Sequence, residues 1–239
     1  MTEPHVFTHE KYTVCLFGPE RPRTRILPVI YRGNRNKVCL VKAASDSTHP
    51  GFMQIKPPVY GSSESNDFDE YADSIVIEES GSSVIMQTAD CLTGILFEHT
   101  TKRGVIIHCG KFALMPQNEF GKPIDNIVTR AYRALTKGVT KPSVEAYLTG
   151  GICPKCFLHD DYNGQEFVKP FDQFGSHAFL NRQEGTLNLK AIVIEQLRGF
   201  GVRLQNIRHD GLCTYEESHL ASHRRDGSPK RNAVMFVLH

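Results

Sequence analysis

"QTADCLTGILFEHTTKRGVIIHCG", residues 87–110, decides the architecture. "LTGILFE" and "GVIIHCG" are two short apolar runs rich in β-branched and aromatic residues, and "HTTKRG" between them has turn composition. This order predicts a β-hairpin. Asp90 and Cys91 stand in front of the first run, and His108 closes the second. Both places are strand edges, where a scaffold holds side chains rigidly over a surface pocket.

Working outward, the segments 11–17, 26–31 and 37–42 ("KYTVCLF", "ILPVIY", "KVCLVK") read as strands bounded by Gly, Pro and Asn. Residues 44–70 are rich in Ser, Asp, Pro and Gly and read as loop, with "GFMQI" as a strand fragment. "SIVIEE" and "SVIMQT" read as strands joined by the turn "SGS". "PIDNIVTRAYRALTKG" sets Ile124, Ile127, Val128, Ala131 and Leu135 at spacings of three and four, which predicts a helix with Gly138 as its C-cap. "VEAYLTGG" reads as a strand, "TLNLKAIVIEQLRGFG" as a second helix followed by "LQNIRHDG", and "NAVMFVL" as a last strand. Strict strand–helix alternation is absent, so a doubly wound parallel sheet is not expected. The pattern predicts an α+β fold in which layered β-sheets are flanked by helices. No internal repeat or linker divides the chain, so residues 1–239 are read as a single domain.

With 239 residues the chain is long enough to bury a real core. Its net charge of +2 gives no footing for nucleic acid or an anionic membrane, and no apolar run reaches the about 18 residues of a membrane span. "MTEPHVFTHEKYTVCLFG" lacks the charged-then-apolar order of a leader. The seven cysteines, an odd number, fit reduced thiols and a cytoplasmic location. Nothing in the composition fixes an oligomeric state.

A thiol beside an imidazole supports two chemistries. The imidazole can hold a thiolate as nucleophile, or sulfur and nitrogen can share a zinc ion whose open position activates water. A buried cysteine and a histidine satisfied by backbone remain the plainer alternative. Cys153-Pro154-Lys155-Cys156 with His159 spells C-x-x-C-x-x-H, but no second half-motif follows at zinc spacing, so a turn with buried thiols is expected there. "CTYEESHLASHRRDGSPKRNAVMFV" carries Arg224, Arg225, Lys230 and Arg231, whose charges suit phosphate or simply a solvated loop. "YRGNRNK", with Arg32 and Arg35, has the same two readings.

Thr88-Ala89-Asp90-Cys91 is followed by His108-Cys109-Gly110-Lys111-Phe112-Ala113. Gln54-Ile55-Lys56-Pro57 and Ala72-Asp73-Ser74 lie upstream. "GGICPKCF", Cys213-Thr214 and Ser222-His223-Arg224-Arg225-Asp226-Gly227 lie downstream. In this order they resemble the T-A-D-C, H-A-G-W-R-G, Q-V-H-G, A-D-A, G-P-x-I-G-P-C-C-Y, C-T and S-Y-R-R-D-G motifs of the YfiH-like laccase-domain family. That family was long labelled multicopper polyphenol oxidases and later described as purine nucleoside phosphorylases. The resemblance runs from about residue 25 to the C-terminus. It implies an α+β fold of sheets inside and helices outside, similar to the cysteine–histidine catalytic domain of cytotoxic necrotizing factor.

The resemblance further implies phosphorolysis of adenosine, inosine and methylthioadenosine, adenosine deamination, and a zinc site of two histidines and one cysteine. Cys91 and His108 carry over as catalytic or metal-site residues, with Asp90 beside them. The third ligand place holds Lys56, a poor zinc ligand, so zinc binding there is expected to be weakened. Lys111-Phe112 replaces the family's Trp-Arg. The expected partners are a small nucleoside and phosphate, the latter held by Arg224, Arg225 and Lys111, with Gln54 and Arg32 as further contacts. The histidines form no H-x-H cluster, so copper is not expected. Two other functions fit the altered site: a metal-free hydrolase or deamidase with Cys91 as nucleophile and His108 as base, and a catalytically silent purine-binding or regulatory protein.

Overall fold

The predicted hairpin forms and sits inside a six-stranded sheet. The computed structural model describes residues 4–19, 38–42, 55–56, 70–117, 122–159, 161–227 and 229–239. The strands are β1 (His5–His9), β2 (Tyr12–Phe17), β3 (Val38–Lys42), β4 (Ile55–Lys56), β5 (Glu70–Tyr71), β6 (Ser74–Ile77), β7 (Ser83–Thr88), β8 (Leu92–Glu98), β9 (Arg103–Cys109), β10 (Val144–Thr149), β11 (Ile207–His209) and β12 (Asn232–Leu238). One sheet runs β1-β2-β12-β7-β3-β5 and the other β11-β10-β8-β9-β6-β4. β8 and β9 pair antiparallel, with Thr93 opposite His108 and Leu92 opposite Cys109.

Alternation along these strands builds two cores. Ile95, Phe97 and Ile106 face the first sheet and pack with Tyr12, Val14, Val84, Met86, Val234 and Phe236. Leu92, Leu96, Val105 and Ile107 face the other way, into a core shared with the helices. Each such side chain contributes about 1.5–3 kcal/mol when fully buried. The sheets approach closely at Gly104, where any side chain would strike the Phe236 ring.

The helices are α1 (Lys111–Leu114), α2 (Ile127–Leu135), α3 (Tyr162–Val168), α4 (Leu189–Gly199) and α5 (His223–Asp226). α2 buries Ile127, Val128, Ala131 and Leu135 of the predicted face, with Thr129 and Tyr132 besides, and Ile124 precedes the helix. Asn126 caps it by accepting from Val128 N (3.1 Å) and Thr129 N (3.3 Å), worth about 1 kcal/mol. The C-cap is Thr136, and Gly138, at φ +82°, turns the chain two residues later. Among the described residues no helix is long and apolar enough to cross a membrane.

The α+β class of layered sheets flanked by helices agrees with the sequence reading. β6 and β7 are both strands, but "SGS" does not make a hairpin of them. β6 pairs with β9, whereas β7 pairs with β12 and β3, so the turn crosses between sheets. The expected strand 26–31 lies outside the described residues.

Candidate functional site

The end of the β8–β9 hairpin carries the pair. Asp90 has φ +70°, a left-handed conformation that Asp tolerates better than most side chains, and it turns the chain so that Cys91 enters β8. Both Asp90 carboxylate oxygens are occupied: Oδ1 accepts from Thr214 Oγ1 (2.7 Å) and Oδ2 from Arg224 N (2.7 Å). The Asp90 carbonyl accepts from Ile152 N (2.9 Å). Asp90 therefore holds three segments together at the site.

His108 is fixed by a residue whose role the sequence reading missed. β6 lies beside β9 with Ser74 opposite Ile107, which brings Asp73 to His108. His108 N donates to the Asp73 carbonyl (2.7 Å), and His108 Nδ1 donates to Asp73 Oδ1 (3.0 Å). That leaves Nε2 for the hydrogen bond with Cys91. Burial by itself would lower the His108 pKa. The charge of the Cys91 sulfur and the bonds to Asp73 and Cys91 outweigh burial and raise it to about 10. These contacts favour the protonated ring, the form that can act as a proton donor.

Gly110 makes the pairing sterically feasible. Its backbone (φ −75°, ψ 162°) suits any residue, so the constraint is space. A Cβ there would sit 2.7 Å from His108 Nε2 and 3.0 Å from Cys91 Sγ.

Cys91 and His108 open onto a cavity of 430 Å³, within the range of small-molecule sites. Phe112, Phe157 and Leu189 supply apolar wall, and Lys111, Arg224 and Arg231 supply positive charge. Lys111 Nζ lies 4.2 Å from the Phe167 ring centroid and 5.3 Å from that of Phe112. Burial, followed by the Arg224 charge, lowers the Lys111 pKa. The Arg224 guanidinium stands 5.3 Å from the centre of the Phe157 ring.

The remaining candidates fare differently. Arg225 does not line this cavity: its guanidinium donates to the carbonyls of Thr214, Tyr215, Glu217 and Leu220 and to the Asp226 carboxylate. It staples the 214–220 turn, so its donors are spent on protein carbonyls and the Asp226 carboxylate. Gln54 and Arg32 lie outside the described residues. Lys56 has its backbone in β4, paired with β6 opposite Ile75. Among the described residues no third Cys, His, Asp or Glu donor joins Cys91 and His108 in a metal-competent group. Two donors among the described residues are one short of the three protein ligands that such a zinc site takes.

The C-x-x-C segment does more than the expected turn. Cys153 and Cys156, on a 3₁₀ turn at Pro154–Cys156, meet Cys213 and Glu216. All four donor atoms lie within 4.8 Å of one another, and the cluster could hold a metal ion. His159, the third letter of the apparent motif, is not part of it: its Nδ1 pairs with the Gly185 carbonyl (3.1 Å). Burial, with Cys153 close by, pushes the Cys156 thiol up to about 12. The sequence signal missed was a C-x-x-E at 213–216, a second half-site that counts a carboxylate as a ligand.

Residues 37–239 match the family described as multi-copper polyphenol oxidoreductase laccase. A purine nucleoside phosphorylase of Campylobacter jejuni is 26% identical over 168 residues, which are 70% of this chain and 66% of that protein. The chain thus spans just under two thirds of that relative. The fold is similar to the hypothetical protein YfiH of Bacillus licheniformis (TM-score 0.68, 15% identity, 95% of this chain and 93% of that one). It is similar also to YlmD of Geobacillus stearothermophilus (TM-score 0.67, 16% identity, 95% and 91%). Copper, named in the family's description, favours imidazole among its ligands. Among the described residues the metal-competent cluster offers thiols and a carboxylate and no imidazole, so it does not fit a multicopper centre.

Proposed function

The chain belongs to the multi-copper polyphenol oxidoreductase laccase family, and on that premise we propose that it is an enzyme that cleaves purine nucleosides by phosphorolysis at the Cys91–His108 cavity. The observation that carries the reading is the buried Asp73–His108–Cys91 chain opening onto a cavity that combines aromatic wall with cations. The name of the Campylobacter jejuni relative supports the same reaction.

Phe112 and Phe157 offer flat apolar surface to a purine, and Lys111 and Arg224 attract phosphate. A phosphate oxygen attacks the anomeric carbon of the sugar while the glycosidic C–N bond breaks and its electrons go to the base. Asp73 keeps the ring aligned and protonated, and His108 passes the Nε2 proton, shared with Cys91 at rest, to the departing purine as the base takes the place of that contact. The proton lost from the phosphate as the sugar phosphate forms returns to His108, so the cycle closes. Cys91 orients Nε2 through their hydrogen bond. Adenosine, inosine and methylthioadenosine are the substrates to test, with and without phosphate. Free base should appear only with phosphate. Ammonia release from adenosine, equal with and without phosphate, would instead indicate deamination.

A second reading has its own observation. Sulfur, imidazole and carboxylate in line are also the parts of a cysteine hydrolase or deamidase. It requires Cys91 to alkylate rapidly at neutral pH after metal removal. Slow alkylation, at the rate of an ordinary thiol, would remove this reading.

A further inference from the structure

We propose that Cys153, Cys156, Cys213 and Glu216 form a structural zinc centre, separate from the Cys91–His108 site, that ties the 150–157 turn to the 213–216 turn. The donor spacing is that of a tetrahedron. Zinc–sulfur bonds of about 2.3 Å set ligand atoms about 3.8 Å apart along the edges. Cys153 Sγ lies 3.5 Å from Cys156 Sγ and 3.8 Å from Glu216 Oε1, and Cys156 Sγ lies 3.7 Å from that oxygen. The two C-x-x-C cysteines are free thiols.

The chemistry of the set agrees. Three thiols select a borderline-soft ion such as zinc over magnesium or calcium. Cys153 N donates to Cys213 Sγ (3.2 Å), the backbone support that a metal-bound thiolate uses. The Glu216 carboxylate accepts from the Cys153 and Cys156 thiols, and a cation that takes the place of those thiol protons would meet all four donors at once. Four donors from protein close the coordination shell, which marks a structural rather than a catalytic ion.

The position gives the ion a purpose. Ile152, next to Cys153, donates to the Asp90 carbonyl, and Thr214, next to Cys213, donates to the Asp90 carboxylate. An ion at this junction fixes both neighbours of Asp90 and, through it, the turn that presents Cys91.

The test is metal content and cobalt spectroscopy on the full chain, purified reduced and without chelator. Wild type and Cys91→Ala should each hold one equivalent of zinc, and Cys153→Gly and Cys156→Ser should hold none. Cobalt exchanged into wild type should give thiolate charge-transfer absorption and the intense visible bands of tetrahedral coordination. Chelation should lower the melting temperature of wild type and leave Cys153→Gly unmoved. Zinc that leaves with Cys91→Ala and stays with Cys153→Gly would overturn the proposal. So would reduced, folded wild type that takes up no zinc from excess. If both cluster variants fail to fold, the cobalt spectrum of wild type decides, and octahedral, thiolate-free bands count against it.

Discussion

The two sulfur sites of this molecule are held in different ways. Cys91 immediately precedes β8, His108 lies on the neighbouring β9, and His108 is locked by Asp73, the residue just before β6, whose side chain is fully buried. Their geometry belongs to the sheet. Cys153, Cys156, Cys213 and Glu216 lie on two turns, with Cys153 and Cys156 half-buried and Glu216 exposed. Their geometry belongs to whatever crosslinks those turns. The sheet supplies a pre-formed Asp73–His108–Cys91 chain, and the turns supply a place where an added ion contributes most. Asp90 joins the two, accepting from Thr214 and Ile152 on one side and leading into Cys91 on the other.

The largest break in this contrast is at Asp73. Asp73→Ala strands a buried imidazolium, and losing one partner of such a pair costs about 3–5 kcal/mol. Urea denaturation should show that loss, whereas Glu216→Ala, at an exposed carboxylate, should change stability little once zinc is removed. The pair also carries a pH signature. The folded pKa of His108, about 10, stands above the roughly 6.5 of an unfolded histidine. Its stabilisation is therefore fully present below about pH 6.5 and fades as pH rises toward 10. Urea midpoints should fall over that window in wild type and stay flatter in His108→Gln.

Next comes Gly110→Ala. The new methyl must push against His108 Nε2 and Cys91 Sγ, and displacement of a reacting group by about 1 Å costs on the order of 10²-fold in rate. Turnover should drop by that much while zinc content stays unchanged. A fully active variant would show that the pair is not the working site. Arg225→Ala probes the opposite region. Its guanidinium ties down four carbonyls of the 214–220 turn, and losing charge-assisted bonds of this kind costs about 1.5–3 kcal/mol. Weaker zinc retention should accompany the lower stability. The smallest effect is expected from Arg224→Ala, which should raise the KM for phosphate about tenfold, near 1.4 kcal/mol, with kcat nearly unchanged. An unchanged KM would move the phosphate elsewhere in the cavity.

Much of this architecture was written locally in the chain. β8, β9 and α2 are long, periodic and bounded by turn residues, so burial follows from spacing alone. β1 is different: "HVFTH" offers two apolar residues among polar ones, and only its pairing with β2 makes it a strand. α3 contains Asn163 and Gly164, poor helix formers, and starts because Asp161 Oδ1 accepts from Gly164 N (2.6 Å). Cys91 and His108 were visible as strand-edge residues. Asp73 stood within a noted motif, but its role depends on the β6–β9 register, which spacing does not encode. The charge of Arg225 is visible in sequence, whereas its use by the carbonyls of the 214–220 turn is not. Half of the thiol cluster was visible as C-x-x-C, and the other half arrives from 60 residues away.

The most direct measurement is nucleoside turnover by wild type and Cys91→Ala, with and without phosphate, read by chromatography. Phosphate-dependent release of free purine by wild type, lost in the folded variant, is the predicted result. Folded wild type that releases no base from adenosine, inosine or methylthioadenosine would contradict it.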